Sequence, residues 1–243
     1  MWPYPKVIAH RGGGTLAPEN TMAALQCGLS HGFRAVEFDV MLSKDGIPVL
    51  MHDPLFGRTV AGEGNVAGTM AQDLMRMDAG SWFSKDFAGE PVPSYQQVLE
   101  FCLKHGIWMN VEIKPVPGFE DATGRAVALM TRQINAGEQV LLSSFSFDAL
   151  MRAKECAPEI ARGFLTDQLE SDWLQRLQAL SAIALHTNHH YLNADLTGQV
   201  KDAGYGVFCY TVNTPARARE IVEWGVDAFC TDRIDLITHD FIA

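Results

Sequence analysis

Along most of the chain, short apolar runs alternate with stretches whose apolar residues recur at helical spacing. Eight runs read as strands: 6–10, 35–40, 108–114, 139–145, 161–166, 181–186, 205–212 and 227–231. Amphipathic stretches between most of them read as helices, among them 19–31, 94–105, 121–136, 147–156, 193–203 and 215–224. Glycine punctuates the helix ends at Gly32, Gly106, Gly137, Gly204 and Gly225, as left-handed C-terminal residues do. Eight strands alternating with helices predict an α/β chain folded as a (β/α)8 TIM barrel, with one domain over residues 1–243. A doubly wound open sheet shares the rhythm and is the competing architecture.

The rhythm breaks twice. After the second strand, Ser43-Lys44-Asp45-Gly46 is a turn signal leading into a further extended run, 47–52, so a hairpin is expected there. A two-residue turn centred on Asp45-Gly46 would set residue 39 opposite residue 52 and bring His52 beside Asp39. Residues 54–93 then lose all periodicity and read as an insertion at the C-terminal mouth of the barrel, either a lid or a structural excursion.

The placement of charge on the strands carries chemistry. In 35–40, Val36, Phe38 and Val40 share one face, while Glu37 and Asp39 share the other; in 111–114, Val111 and Ile113 oppose Glu112 and Lys114. Helices cover the outside of a barrel and need the apolar face, so the charged residues must point inward near the strand ends. Three carboxylates meeting there are costly to desolvate unless they bind something, and Arg11 and Lys114 leave the acids one positive charge short. A divalent cation repairs that deficit. All-oxygen donors from Glu37, Asp39 and Glu112 favour a hard ion, Mg²⁺ or Ca²⁺, with Mn²⁺ also compatible. No H-x-H or H-E-x-x-H spacing marks a zinc site.

His10 ends the first strand and His52 ends the returning arm of the hairpin, so both converge on these acids. Two such imidazoles suit proton transfer, one neutral as base and the other protonated as acid. Arg11 offers a planar fork and Lys114 a point charge for an anionic group, and phosphate fits both. Gly12 to Gly14 would admit backbone amides close to that group, or serve only the turn.

Overall charge changes the picture mainly by exclusion. The chain has 243 residues, 47% hydrophobic and 20% charged, with 19 Lys+Arg against 29 Asp+Glu, a net charge of −10. That sign argues against nucleic acid or an anionic membrane as partner and for a small molecule captured by local positive charge. No apolar run approaches the roughly 18 residues needed to span a bilayer, and Met1 to Lys6 show no leader pattern. Five scattered cysteines (27, 102, 156, 209 and 230), with no C-x-x-C pair, fit a reducing cytoplasm. Oligomeric state is left open.

Taken together, His10-Arg11-Gly12, Pro18-Glu19-Asn20-Thr21, Glu37-Phe38-Asp39, His52-Asp53, Glu112-Ile113-Lys114, Tyr210-Thr211-Val212-Asn213 and Thr231-Asp232 resemble, in order and spacing, the signature of glycerophosphodiester phosphodiesterases. The chain is most similar to the cytoplasmic bacterial type. The resemblance implies a barrel with an insertion after the His-Asp motif. It implies a divalent metal on Glu37, Asp39 and Glu112, acid-base work by His10 and His52, and phosphate contacts from Arg11 and Lys114. It further implies hydrolysis of deacylated phospholipids, such as glycerophosphocholine or glycerophosphoethanolamine, to sn-glycerol 3-phosphate and an alcohol. The alternative on the same scaffold is a phospholipase-like enzyme that stops at a cyclic phosphate.

Other features carry less. Asn20 or Thr21 is expected to cap the first helix. Residues 62–68 are glycine-rich without the strand-to-helix context of a nucleotide loop. His189-His190 reads as a polar loop, His186 and Asn188 as strand-end residues near the mouth, and Tyr210 as core or an apolar wall. Trp173 and Trp224 read as helix packing residues.

Overall fold

The computed structural model describes residues 2–242. Its strands are β1 (Val7–Ala9), β2 (Ala35–Leu42), β3 (Pro48–Leu50), β4 (Trp108–Ile113), β5 (Val140–Ser144), β6 (Ala161–Thr166), β7 (Ala184–Asn188), β8 (Gly206–Tyr210) and β9 (Ala228–Thr231). All but β3 run parallel, and β1 pairs with both β9 and β2, with Ala9 opposite Val36, so the sheet closes into an eight-stranded barrel. The helices are α1 (Met22–Ser30), α2 (Ala71–Leu74), α3 (Tyr95–His105), α4 (Glu120–Gln133), α5 (Phe147–Cys156), α6 (Trp173–Leu180), α7 (Ala194–Asp202) and α8 (Pro215–Glu223). No helix among the described residues is long and apolar enough to cross a membrane.

Local chemistry sets the helix ends. The Thr21 hydroxyl accepts from the Ala24 amide to start α1, and Ser94 with Gln97 forms a reciprocal capping box on α3. Helix α3 stops at Gly106, which adopts φ 62° as a left-handed cap. Strand β7 begins at Ala184 rather than at 181, because Ser181 is consumed as the left-handed cap of α6.

The two faces of each strand go where the alternation demands. Val36, Phe38 and Val40 of β2, with Val111 and Ile113 of β4, are buried beneath the helices in the main apolar core. Each such side chain contributes about 1.5–3 kcal/mol by leaving water. Ile8, Ala35, Trp108, Leu141, Phe208, Ala228 and Cys230 pack together inside the barrel. Above this floor, the parallel register sets Glu37 beside Asn110 and Asp39 beside Glu112. The acids therefore face the C-terminal mouth.

The hairpin forms in a different register from the one expected. Val40 pairs with Leu50 and Leu42 with Pro48, so Asp39 faces Met51, not His52. The reason is a longer loop: the Ser43 amide donates to the Ile47 carbonyl at 3.0 Å, and the Ser43 hydroxyl donates to Asp45 at 2.7 Å. His52 reaches the mouth because β3 has ended and the chain bends there. Residues 54–93 fold around a small apolar cluster of Val60, Val66, Leu74, Ala79 and Val92 against Met41, Val49 and Met51.

Candidate active site

Closure of the ring brings three carboxylates to one point. Glu37, Asp39 and Glu112 each place an oxygen within 4.8 Å of the others. Lys114 Nζ lies 3.2 Å from Asp39 and 3.5 Å from Glu112, and Arg11 Nε lies 3.6 Å from Asp39. Burial raises the Glu37 and Glu112 pKa values, and the neighbouring Asp39 charge raises them further. Burial also works to raise Asp39, but Lys114, Arg11 and His52 outweigh it and hold that carboxyl low. Three mutually repelling oxygen donors, two of them short of compensating charge, are the donor set of a hard divalent cation, so the residues fit such an ion.

Asn20 fixes this cluster from below. Its side-chain amide donates to Asp39 Oδ2 at 2.8 Å, and its carbonyl accepts the Asp39 amide at 3.0 Å. Thr21, not Asn20, is the helix cap, which leaves Asn20 free for this clamp.

Both histidines face the same cavity of about 240 Å³, together with Arg11, Lys114 and the three acids. Each imidazole has its own carboxylate. His10 Nδ1 donates to Asp232 at 2.5 Å, and Asp232 is held in turn by the Asn213 amide at 2.8 Å. His52 Nδ1 donates to Asp53 at 2.7 Å. A carboxylate on Nδ1 sets the tautomer and leaves Nε2 as the exchanging atom. The environments then separate the pair. Burial works to lower the His10 pKa, but the Asp232 bond and the charges of Glu37 and Asp232 outweigh it, so it is raised. Burial lowers His52, Asp39 offsets part of that, and Lys114 and Arg11 add to the lowering.

Residues 10–236 match the model of the Glycerophosphoryl diester phosphodiesterase family. The chain belongs to that family. A glycerophosphodiester phosphodiesterase of Caldanaerobacter subterraneus subsp. tengcongensis is 33% identical over 93% of each chain. A phosphodiesterase from Oleispira antarctica, solved with the product sn-glycerol-3-phosphate, is 38% identical with a TM-score of 0.90, covering 94% of this chain and 93% of that one. A glycerophosphodiester phosphodiesterase from Agrobacterium tumefaciens superposes with a TM-score of 0.79 at 26% identity, covering 96% and 98%. Like its relatives, this family member is a phosphoric diester hydrolase built on a TIM barrel.

Within this phosphodiesterase, all seven side chains singled out by sequence line one cavity: His10, Arg11, Glu37, Asp39, His52, Glu112 and Lys114. Arg11 is partly committed elsewhere, since its NH1 donates to Glu19 at 2.8 Å. The amides of Arg11, Gly12 and Gly14 are spent on Glu37, Ala9 and His10, so those of Gly12 and Gly14 serve the turn. Gly14 is required there: at φ 54° a Cβ would sit 2.1 Å from the Asp232 carbonyl oxygen. Asp232, Asp53, Asn213, Asn20 and Glu19 are partners whose roles the sequence reading missed. An acid directly after the last barrel strand was the available signal for Asp232.

The remaining candidates separate. Tyr210 lines the cavity and donates from its hydroxyl to the Thr166 carbonyl at 3.1 Å. His186 is not at the mouth; it is buried inside the barrel, stacked on Phe208 at 4.4 Å over the space left by Gly163. Asn188 reaches Asp167 at 3.4 Å, and His189 accepts from Arg217 at 3.2 Å. Trp173 packs against the core and Trp224 lies under Arg217.

Proposed function

We propose that the chain hydrolyses glycerophosphodiesters released by phospholipid deacylation to sn-glycerol 3-phosphate and a free alcohol. The observation that carries this is the pair of oppositely tuned histidines, each held by its own carboxylate, facing one cavity with three convergent acids. Glu37, Asp39 and Glu112 hold a divalent cation, Mg²⁺, Ca²⁺ or Mn²⁺, which supplies Lewis-acid stabilisation of charge on the phosphate. Arg11 and Lys114 bind its anionic oxygens.

His52, kept neutral, takes the proton from the attacking hydroxyl. His10, kept protonated by Asp232, gives a proton to the departing alcohol oxygen. The two then exchange roles if the attacking group is the neighbouring glycerol hydroxyl, because water must open the resulting cyclic phosphate. Direct attack by water is a single step with no exchange of roles, after which solvent returns the two histidines to their starting protonation states. Trapping the cyclic phosphate separates these routes. The solved Oleispira antarctica relative with bound sn-glycerol-3-phosphate supports the same product here.

The leaving group's surroundings support a cationic alcohol such as choline or ethanolamine. The cavity continues past Phe145 and Leu165 into a groove of about 390 Å³ that includes Phe164, Asp167, Glu170 and Arg176. Phe145 stands edge-on to Tyr210 at 5.8 Å. Arg176 is neutralised by Asp172 at 2.8 Å and Glu170 at 3.0 Å. The Asp167 carboxylate has no cationic partner among the described residues and accepts only from Tyr210 and Asn188. Aromatic faces beside an uncompensated carboxylate attract an ammonium group. Five free cysteines, with no disulfide among the described residues, support a reducing cytoplasmic setting.

The test is release of glycerol 3-phosphate from glycerophosphocholine by chelator-treated protein, with and without added Mg²⁺, Ca²⁺ or Mn²⁺. Release restored by metal, and lowered roughly 10²–10⁴-fold in His10→Ala and His52→Ala, is the expected result. No release from any glycerophosphodiester by folded protein, or near-normal turnover in both variants, would overturn it.

A further inference from the structure

Arg58 lies in the inserted segment, outside the cavity, yet it bridges the two halves of the site. Its Nε donates to Asp53 Oδ2 at 2.5 Å, and Asp53 Oδ1 is the acceptor for His52 Nδ1. Its NH1 and NH2 donate to the two oxygens of Glu19, both at 2.7 Å, and Glu19 accepts from Arg11 NH1 at 2.8 Å. One guanidinium thus closes an unbroken chain from His52 through Asp53, Arg58 and Glu19 to Arg11. We propose that Arg58 is a positioning residue of this active site, orienting His52 through Asp53 and Arg11 through Glu19.

Geometry separates this from an ordinary surface ion pair. A surface pair holds one contact and leaves the side chains to wander. Arg58 makes three directed bonds to two carboxylates, and a planar fork fixes their relative angle as an ammonium cannot. Its backbone is held by a tight turn in which the Gly57 amide donates to Val60 at 2.7 Å, and Val60 is buried in the insertion's own apolar cluster. Trp82 flanks the guanidinium with its ring centroid 6.0 Å away. The insertion thereby contributes to the site without placing a side chain on substrate.

The inference rests on the roles proposed above for His52 and Arg11, and a crossed mutant cycle tests it. Misplacing a catalytic group can cost up to roughly 10²-fold in rate, so Arg58→Ala is expected to lower kcat on glycerophosphocholine about tenfold and raise KM about threefold. In an Asp53→Ala background, the kcat effect of Arg58→Ala should fall below about twofold while its KM effect persists; in a Glu19→Ala background the reverse holds. Arg58→Lys, which keeps the charge without the fork, should show an intermediate loss. A purely structural role, or direct contact with substrate, would give the same loss in every background and would overturn the inference, as would Arg58→Ala at wild-type kcat and KM. His52→Ala measured alongside separates the failures: near-normal turnover there removes the role of His52 and the inference with it, whereas an inactive His52→Ala beside a normal Arg58→Ala overturns the positioning role alone.

Discussion

Replacing Asp232 by asparagine should expose the acid half of the proposed reaction. The His10 Nδ1–Asp232 bond is short and charge-assisted, and Asp232 is further ordered by Asn213. A hydrogen bond to a charged group contributes about 1.5–3 kcal/mol, which converts to about 10- to 150-fold in kcat if it is needed in the transition state. The same energy equals about one to two pKa units. Its sign is fixed by the shift: Asp232 holds His10 above its ordinary value, so the acid form persists to higher pH in the wild type. An amide in place of the carboxylate removes that support, and the alkaline limb of the rate profile should move to lower pH by that one to two units. The fold should survive, because the Asp232 backbone amide still donates to Asn213 and its carbonyl still accepts from Thr15. The assay is metal-supplemented release of glycerol 3-phosphate between about pH 5 and 9, where an imidazole titrates. A kcat within twofold of wild type, or a fall in kcat with an unmoved alkaline limb, would refute the assignment of His10 as the Asp232-supported acid.

Three further outcomes are expected. Asn20→Ala should destabilise the fold by about 2–4 kcal/mol in a denaturant melt, since it strips two buried hydrogen bonds from Asp39 and puts alanine at φ 57°; Asn20→Gly should recover only the backbone part. Glu112→Gln removes one of three anionic donors and should weaken divalent-cation binding by at least about tenfold, read by titration calorimetry. Asp167→Asn should lower the kcat/KM ratio of glycerophosphocholine over glycerophosphoglycerol by about three- to tenfold; equal losses on both substrates would remove the cationic subsite.

Much of this molecule is visible in single elements. Period-two alternation within β2 and β4 already commits Glu37, Asp39 and Glu112 to one side and Val36, Phe38 and Val111 to the other, because a strand cannot turn one without the other. Strand ends carry His10 and Lys114, and helical spacing between runs implies a parallel sheet. Hairpin register was not legible to the residue. A five-residue loop closed by Ser43 replaces the expected two-residue turn; the Ser43 hydroxyl accepts from the Ile47 amide and donates to the Asp45 carboxylate, and such local bonds leave no periodic trace.

The alternation of elements and the face each charge must take are local properties of the sequence, set by neighbours a few residues apart, and the oxygen-donor character of Glu37, Asp39 and Glu112 follows from residue type alone. Only the tertiary structure decided the partners. Asp232 meets His10 across 222 positions because β1 and β9 close the ring, with the His10 amide on the Thr231 carbonyl at 3.0 Å. His52 enters the cavity through a bend, not through pairing, and Arg58 reaches both Asp53 and Glu19 from an insertion with no periodic pattern. Such contacts are set by ring closure and loop packing, where the free energy lies in geometry between distant segments and not in local propensity.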